Sequence, residues 1–122
     1  MTQELHVTGS LLTTNRERKG DRFLRAAIVK EWRDTAYLLT KVAHLEPMNY
    51  VHVEFFPEQA KGVLADAGAH LPTAKAVLDG IVDAGVLHDD NPTYVGAIIM
   101  HAPRRGRQDA MIVRLVPVTP IT

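Results

Sequence analysis

The side chains best suited to chemistry are carboxylates in three groups, Asp66 alone, Asp79 with Asp83, and Asp89 with Asp90, and one lysine, Lys75, that falls between the first group and the last. Carboxylates converging from loops are the common way to hold Mg²⁺, which takes oxygen ligands octahedrally and keeps waters for chemistry on phosphates. With Asp66 shortly before Lys75 and Asp90 shortly after, a folded helix can carry the ammonium to a metal-bound phosphate. There it would stabilise charge developing on the phosphoryl or leaving oxygen, a combination that suits phosphodiester cleavage. Plainer readings stand beside this one. Asp89-Asp90-Asn91-Pro92 is a dense turn signal, because Asp and Asn side chains close Asx turns. Asp79 and Asp83, at i+4 and i+8 from Lys75, also read as a water-facing row paired with it.

Other chemistries are excluded or unsupported. There is no cysteine, which removes disulfides, thiolate nucleophiles and sulfur-based zinc sites. The six histidines, at 6, 44, 52, 70, 88 and 101, include no i, i+4 pair of the kind a zinc helix carries. His70 and His88 stand out only by lying close in sequence to Asp66 and Asp90. No Gly-x-Gly-x-x-Gly, Walker-type loop or Gly-x-Ser-x-Gly elbow occurs, so a nucleotide cofactor is not expected.

Net charge is zero, with 14 basic and 14 acidic residues, but the charge is segregated. Arg16 to Arg33 holds seven bases (Arg16, Arg18, Lys19, Arg22, Arg25, Lys30, Arg33) against three acids (Glu17, Asp21, Glu31), and a second basic knot follows at Arg104, Arg105 and Arg107. Residues 34 to 103 carry three bases (Lys41, Lys61, Lys75) and nine acids. Basic arms around an acidic middle suit a protein that grips phosphates and holds a metal ion between the grips, because the two tasks need opposite fields. The alternative is that long solvated helices are basic by accident.

A chain of 122 residues, 46% hydrophobic and 23% charged, predicts one globular domain over 1–122 with a single core. Its start lacks a basic leader with an apolar run, and no apolar stretch reaches the roughly 18 residues of a membrane span, so a cytoplasmic protein with no membrane partner is expected. Leu5 and Val7 mark a first strand ended at Gly9-Ser10. Asp21 is a candidate N-cap for the longest helix, 21–44, whose apolar positions run Leu24, Ala27, Ile28, Leu38, Leu39 and Val42, widened by Trp32 and Ala36 and stopped by Pro47. Val51, Val53 and Phe55 alternate in a second strand ended by Pro57. Residues 58–71 read as a long loop and therefore a candidate functional one. Pro72 opens a second helix to about Ala84 that buries Val77, Leu78, Ile81 and Val82, with Gly85 as its left-handed stop. Tyr94–Ala102 and Ala110–Val118 read as two closing strands joined by the basic loop 103–109. The fold class is α+β, a single mixed sheet with two helices in the order β-α-β-α-β-β. Trp32 and Phe55 read as core, whereas Phe23 and Tyr94 suit either core or base stacking.

The run Pro72-Thr73-Ala74-Lys75-Ala76-Val77-Leu78-Asp79-Gly80-Ile81-Val82-Asp83-Ala84-Gly85-Val86-Leu87-His88-Asp89-Asp90 resembles the signature of the RusA-type Holliday-junction resolvases, in the versions found in phages and actinobacteria. Leu12-Thr13-Thr14-Asn15-Arg16 and Glu31-Trp32-Arg33 are similar to that family's Asn-Arg segment and Trp-Arg helix. The likeness is strong over 72–90 and loose elsewhere. It implies a homodimeric, Mg²⁺-dependent endonuclease that nicks four-way DNA junctions symmetrically, in DNA recombination and repair.

Carried over by position, the resemblance makes Asp66, Lys75 and Asp90 catalytic. Asp66 and Asp90 would hold the metal, and Asn15, Arg16, Arg18, Lys19, Arg22, Arg25, Arg104, Arg105 and Arg107 would contact DNA. The chain departs from the pattern after Asp66, where Gly68 and Ala69 stand at positions the family gives to a second aspartate and an asparagine. His70 or Asp89 is then the candidate replacement ligand. The rival expectation is a junction-binding or structural protein of the same fold with weakened catalysis.

Overall fold

The computed structural model of the chain describes residues 1–11 and 22–120. The expectations placed on Asn15, Arg16, Arg18 and Lys19, and on Asp21 as a helix cap, lie outside these residues. The elements run β1 (Gln3–Thr8), α1 (Arg22–Val42), β2 (Val51–Gln59), α2 (Leu71–Asp83), β3 (Val95–Met100), β4 (Arg104–Arg105) and β5 (Ala110–Pro117). The architecture is α+β, two helices and a mixed sheet of order β1-β5-β2-β3, with β4 also pairing β2. Among the described residues no helix is long and apolar enough to cross a membrane.

The core follows from alternation in the central strands. Val51, Val53 and Phe55 of β2 and Met111 and Val113 of β5 are fully buried, beside Ala74, Val77, Leu78 and Ile81 of α2. Strand β2, α2 and β3 form a parallel crossover, which fills one side of β2 with β3 and leaves the other to the antiparallel β5. The two closing strands are therefore not neighbours, because β2 lies between them.

Two expected boundaries move, each for a local reason. Strand β2 runs through Pro57 to Gln59 instead of stopping at the proline. The carbonyls of Phe55 and Gln59 accept from His101 and Gly106, so alternate residues of β2 face β3 and β4. Pro57 shares that parity, and its missing N–H falls in the break between β3, which pairs as far as Phe55, and β4, which starts opposite Glu58.

Helix α1 ends before Pro47 is reached. His44 adopts a left-handed φ of 53°, and the Leu45 N–H returns to the Thr40 carbonyl at 3.3 Å, a Schellman-like closure. Helix α1 also buries a narrower stripe than its periodicity predicts. Trp32, Ala36 and Thr40 are buried, while Leu24, Leu38 and Val42 stay 55%, 59% and 73% exposed. The cause is a close helix crossing: a Cβ on Gly80 of α2 would lie 2.3 Å from the Arg33 carbonyl and 2.8 Å from Ala36 Cβ, so α2 sets which face of α1 turns inward. Helix α2 matches expectation in its ends, with Pro72 in its first turn and Gly85 left-handed just beyond, and buries Val77, Leu78 and Ile81 as expected, while Val82 is only partly buried.

Candidate active site

Helix α2 is the rod that carries the site. Its apolar side is buried, which leaves Lys75, Asp79 and Asp83 successively along the partly exposed side. The turn after α2 is built by its own polar side chains: Asp89 accepts the Asp90 N–H at 2.7 Å and the Asn91 amide at 3.1 Å, and Asn91 accepts the Thr93 N–H at 2.9 Å. Asp89 is therefore occupied in the turn, and the turn aims Asp90 back at α2. Lys75 Nζ donates to Asp90 Oδ2 at 2.6 Å.

The electrostatics of this row are coupled. Lys75 holds the Asp90 carboxyl below its ordinary value by hydrogen bonding and charge, against a smaller desolvation effect. Burial raises Asp79, and the charges of Asp90 and Asp83 add to that rise while Lys75 and Arg33 oppose it. Arg33 of α1 grips Asp83 through two bonds of 2.6 and 2.9 Å and reaches Asp79 at 4.0 Å. Its hydrogen bond lowers the Asp83 carboxyl and raises the already high guanidinium value further. Cations and anions thus alternate from α1 across α2 to the turn. Arg22, Arg25 and Arg33 also line one shallow groove along α1 that leads to this row.

Of the expected site residues, Lys75 and Asp90 are in direct contact and Asp89 adjoins them. Asp66 is exposed on the loop before α2, where its carbonyl accepts the Ala69 N–H; its carboxylate makes no ion pair among the described residues. His70 is 3% exposed at the N-cap of α2, with Nε2 at 3.2 Å from Gln59 Oε1. Among the described residues no three acidic or imidazole side chains are grouped closely enough to enclose a metal ion.

Gln59 is a residue that sequence reasoning missed. Its side chain accepts the Ala65 N–H at 2.8 Å and donates to the Val63 carbonyl at 3.2 Å, which gives the 60–70 segment its shape. The hint in the sequence was a lone amide at the mouth of a long loop. The three late arginines differ in role: Arg104 pairs with Glu58 at 3.1 Å, and Arg105 donates to the Gly62 carbonyl at 2.7 Å. Arg107 is exposed and has no acidic partner among the described residues. Phe23 is 85% exposed, and Tyr94 packs its ring 5.2 Å from His88.

The chain matches no protein-family model, and no curated protein matches it significantly.

Proposed function

We propose that this protein is a Mg²⁺-dependent, structure-selective endodeoxyribonuclease of RusA type, acting in the cytoplasm as a homodimer on four-way DNA junctions. The observation that carries the reading is the Lys75–Asp90 contact at 2.6 Å, made across fifteen residues by a helix and a turn, with Asp79 one helical turn along. Its support in the sequence is the run 72–90.

The donor chemistry fits a hard cation. The charge on Asp90 adds to the cost of ionising Asp79, a cost a cation would relieve, and Mg²⁺ is commonly bound by one or two carboxylates with retained waters. Asp79 and Asp90 would hold it, with waters as the remaining ligands. Bound there, Mg²⁺ supplies Lewis-acid polarisation of a phosphoryl oxygen and a more acidic water. Lys75 stabilises negative charge on the phosphoryl or leaving oxygen, and the Asp89 turn keeps Asp90 opposite it. Arg33 fixes the far end of the row, and the groove of Arg22 and Arg25 receives the flanking phosphates. A two-fold dimer delivers two such sites to the two equivalent strands of a junction.

A second reading, junction binding without cutting, is favoured by one specific observation: among the described residues no hydrogen bond or ion pair joins Asp66 to Lys75 or Asp90, and Gly68 and Ala69 carry no side-chain oxygen beside it. The deciding experiment incubates the protein with a labelled four-way junction and a matched linear duplex, with Mg²⁺ or with chelator, and reads binding and nicking on one sample. Paired, metal-dependent nicks on the junction alone are expected. Tight junction binding without nicks would establish the second reading, and neither binding nor nicking would overturn both.

A further inference from the structure

A cavity of about 690 Å³ opens at the carboxyl ends of β2 and β4, between the end of β1, the start of the 60–70 segment and residues 107–109. Its volume lies within the roughly 300–1,000 Å³ of small-ligand sites. Two cations line it, Lys61 and Arg107, both exposed and neither with an acidic partner among the described residues. The inner wall is Leu11 and the buried His70. Gln108 also lines it, as does Asp109, whose Oδ1 accepts the Ala60 N–H at 2.9 Å while Oδ2 makes no hydrogen bond among the described residues. A larger cavity, about 810 Å³, sits at the other end of β2, where Glu46 lines it and, among the described residues, no lysine or arginine does.

We propose that the 690 Å³ pocket takes one unstacked nucleotide of a DNA strand, its phosphate between Lys61 and Arg107 and its base against Leu11. Phosphate recognition needs uncompensated cations, and these two differ from Arg104 and Arg105 in having no side-chain hydrogen bond or ion pair among the described residues. A simple anion site would exclude a carboxylate. The presence of Asp109 and Gln108 favours a ligand that also has hydrogen-bond donors on a flat edge, as a base does. His70 lies five residues before Lys75, about 7.5 Å along a helix axis. The pocket therefore lies at the N-terminal end of the helix that carries Lys75. The inference rests on the proposed endonuclease reading and adds the subsite that holds the strand beside the cut.

The test is a fluorescence-anisotropy titration in chelator with two probes, a short labelled oligothymidylate and a labelled four-way junction. The wild-type chain is compared with Lys61→Ala, Arg107→Ala and, as a matched surface cation elsewhere, Lys41→Ala. Both pocket variants are expected to bind the oligonucleotide about tenfold more weakly and to lose salt dependence of about one contact each, with Lys41→Ala unchanged. Unchanged affinity of Lys61→Ala and Arg107→Ala for both probes would overturn the pocket while leaving the endonuclease reading intact. Pocket-dependent binding of the oligonucleotide with no preference for the junction would uphold the pocket and overturn the junction reading. Wild-type protein that binds neither probe would overturn the pocket as well. Because both side chains are exposed, circular dichroism spectra matching wild type are expected of the variants.

Discussion

The two carboxylates near Lys75 shift in opposite senses, Asp90 down because the lysine bonds it and Asp79 up because burial outweighs the lysine, and the pH dependence of the site follows from that. Asp90 has its pKa lowered by the lysine. Its contribution to stability is present above the unfolded carboxyl value and is lost as pH falls through the lower folded one. Replacing Lys75 with Met should return Asp90 to the ordinary range or above, read by NMR titration of its side-chain carboxyl carbon; an Asp90 midpoint that does not rise would refute the pairing. Asp79 has the reverse sign. Its folded pKa is raised, first by burial, so the fold favours its protonated form and loses stability as pH climbs from the unfolded value through the raised one. Asp79→Asn should therefore stabilise the protein at pH 7, by about 0.5 kcal/mol after allowance for a partly exposed site. If Asp79 is a cation ligand, the same change reduces nicking, and a variant that is less stable yet fully active would contradict both assignments. Lys75 and Asp90 could be singled out because both sit within one contiguous motif, but their pairing was not legible, since helical spacing offers Asp79 and Asp83 as the lysine's partners. The Arg33–Asp83 grip joins residues 50 apart through a helix crossing, which no local spacing encodes.

The crossing of α1 and α2 depends on a position that helix propensity would misjudge. In isolation a helical Gly→Ala change gains up to about 1 kcal/mol. At Gly80 the added Cβ would lie 2.3 Å from backbone oxygen of Arg33, and backbone cannot step aside as a flexible side chain can. Gly80→Ala should therefore destabilise by about 1–3 kcal/mol in denaturant unfolding, and loosen the Arg33–Asp83 pair that the crossing positions; a stabilised variant would show that the helices do not meet there. Both helices, β1 and the strand 51–55 were legible because each carries a clean period and a recognisable stop. What escaped was fixed by tertiary partners. Pro57 stays in a strand because its neighbour is interrupted at the matching place, His44 takes the left-handed role usually left to glycine, and α1 hides Trp32 and Ala36 while Leu38 and Val42 face outward. The two-residue β4 is too short for any pattern to announce.

Across the whole molecule, zero net charge conceals a field with two signs, and DNA would feel both. The α1 groove holds Arg22 and Arg25, and Lys61 and Arg107 line the pocket at the end of β2, while Asp79, Asp83 and Asp90 follow one another between α2 and its turn. A phosphate brought to Lys75 by the basic surfaces meets carboxylate repulsion unless a cation is present, so without divalent metal the acidic row opposes the grip it sits between. Removing one negative charge there separates binding from cleavage. On the proposed endonuclease reading, Asp90→Asn should abolish Mg²⁺-dependent nicking, and in chelator it should bind the four-way junction at least as tightly as wild type, because an amide does not repel the phosphate and leaves the flanking cations untouched. Titrations from about 50 to 200 mM salt should give parallel log–log slopes for the two proteins, since the number of phosphates neutralised is unchanged. Arg107→Ala should flatten that slope by about one contact, because it removes a phosphate partner. If Asp90→Asn nicks at the wild-type rate, the carboxylate at the end of the row is not part of the chemistry. If it binds the junction more weakly than wild type in chelator, the acidic row is a contact surface in its own right and the two-sign field does not describe how this protein meets DNA.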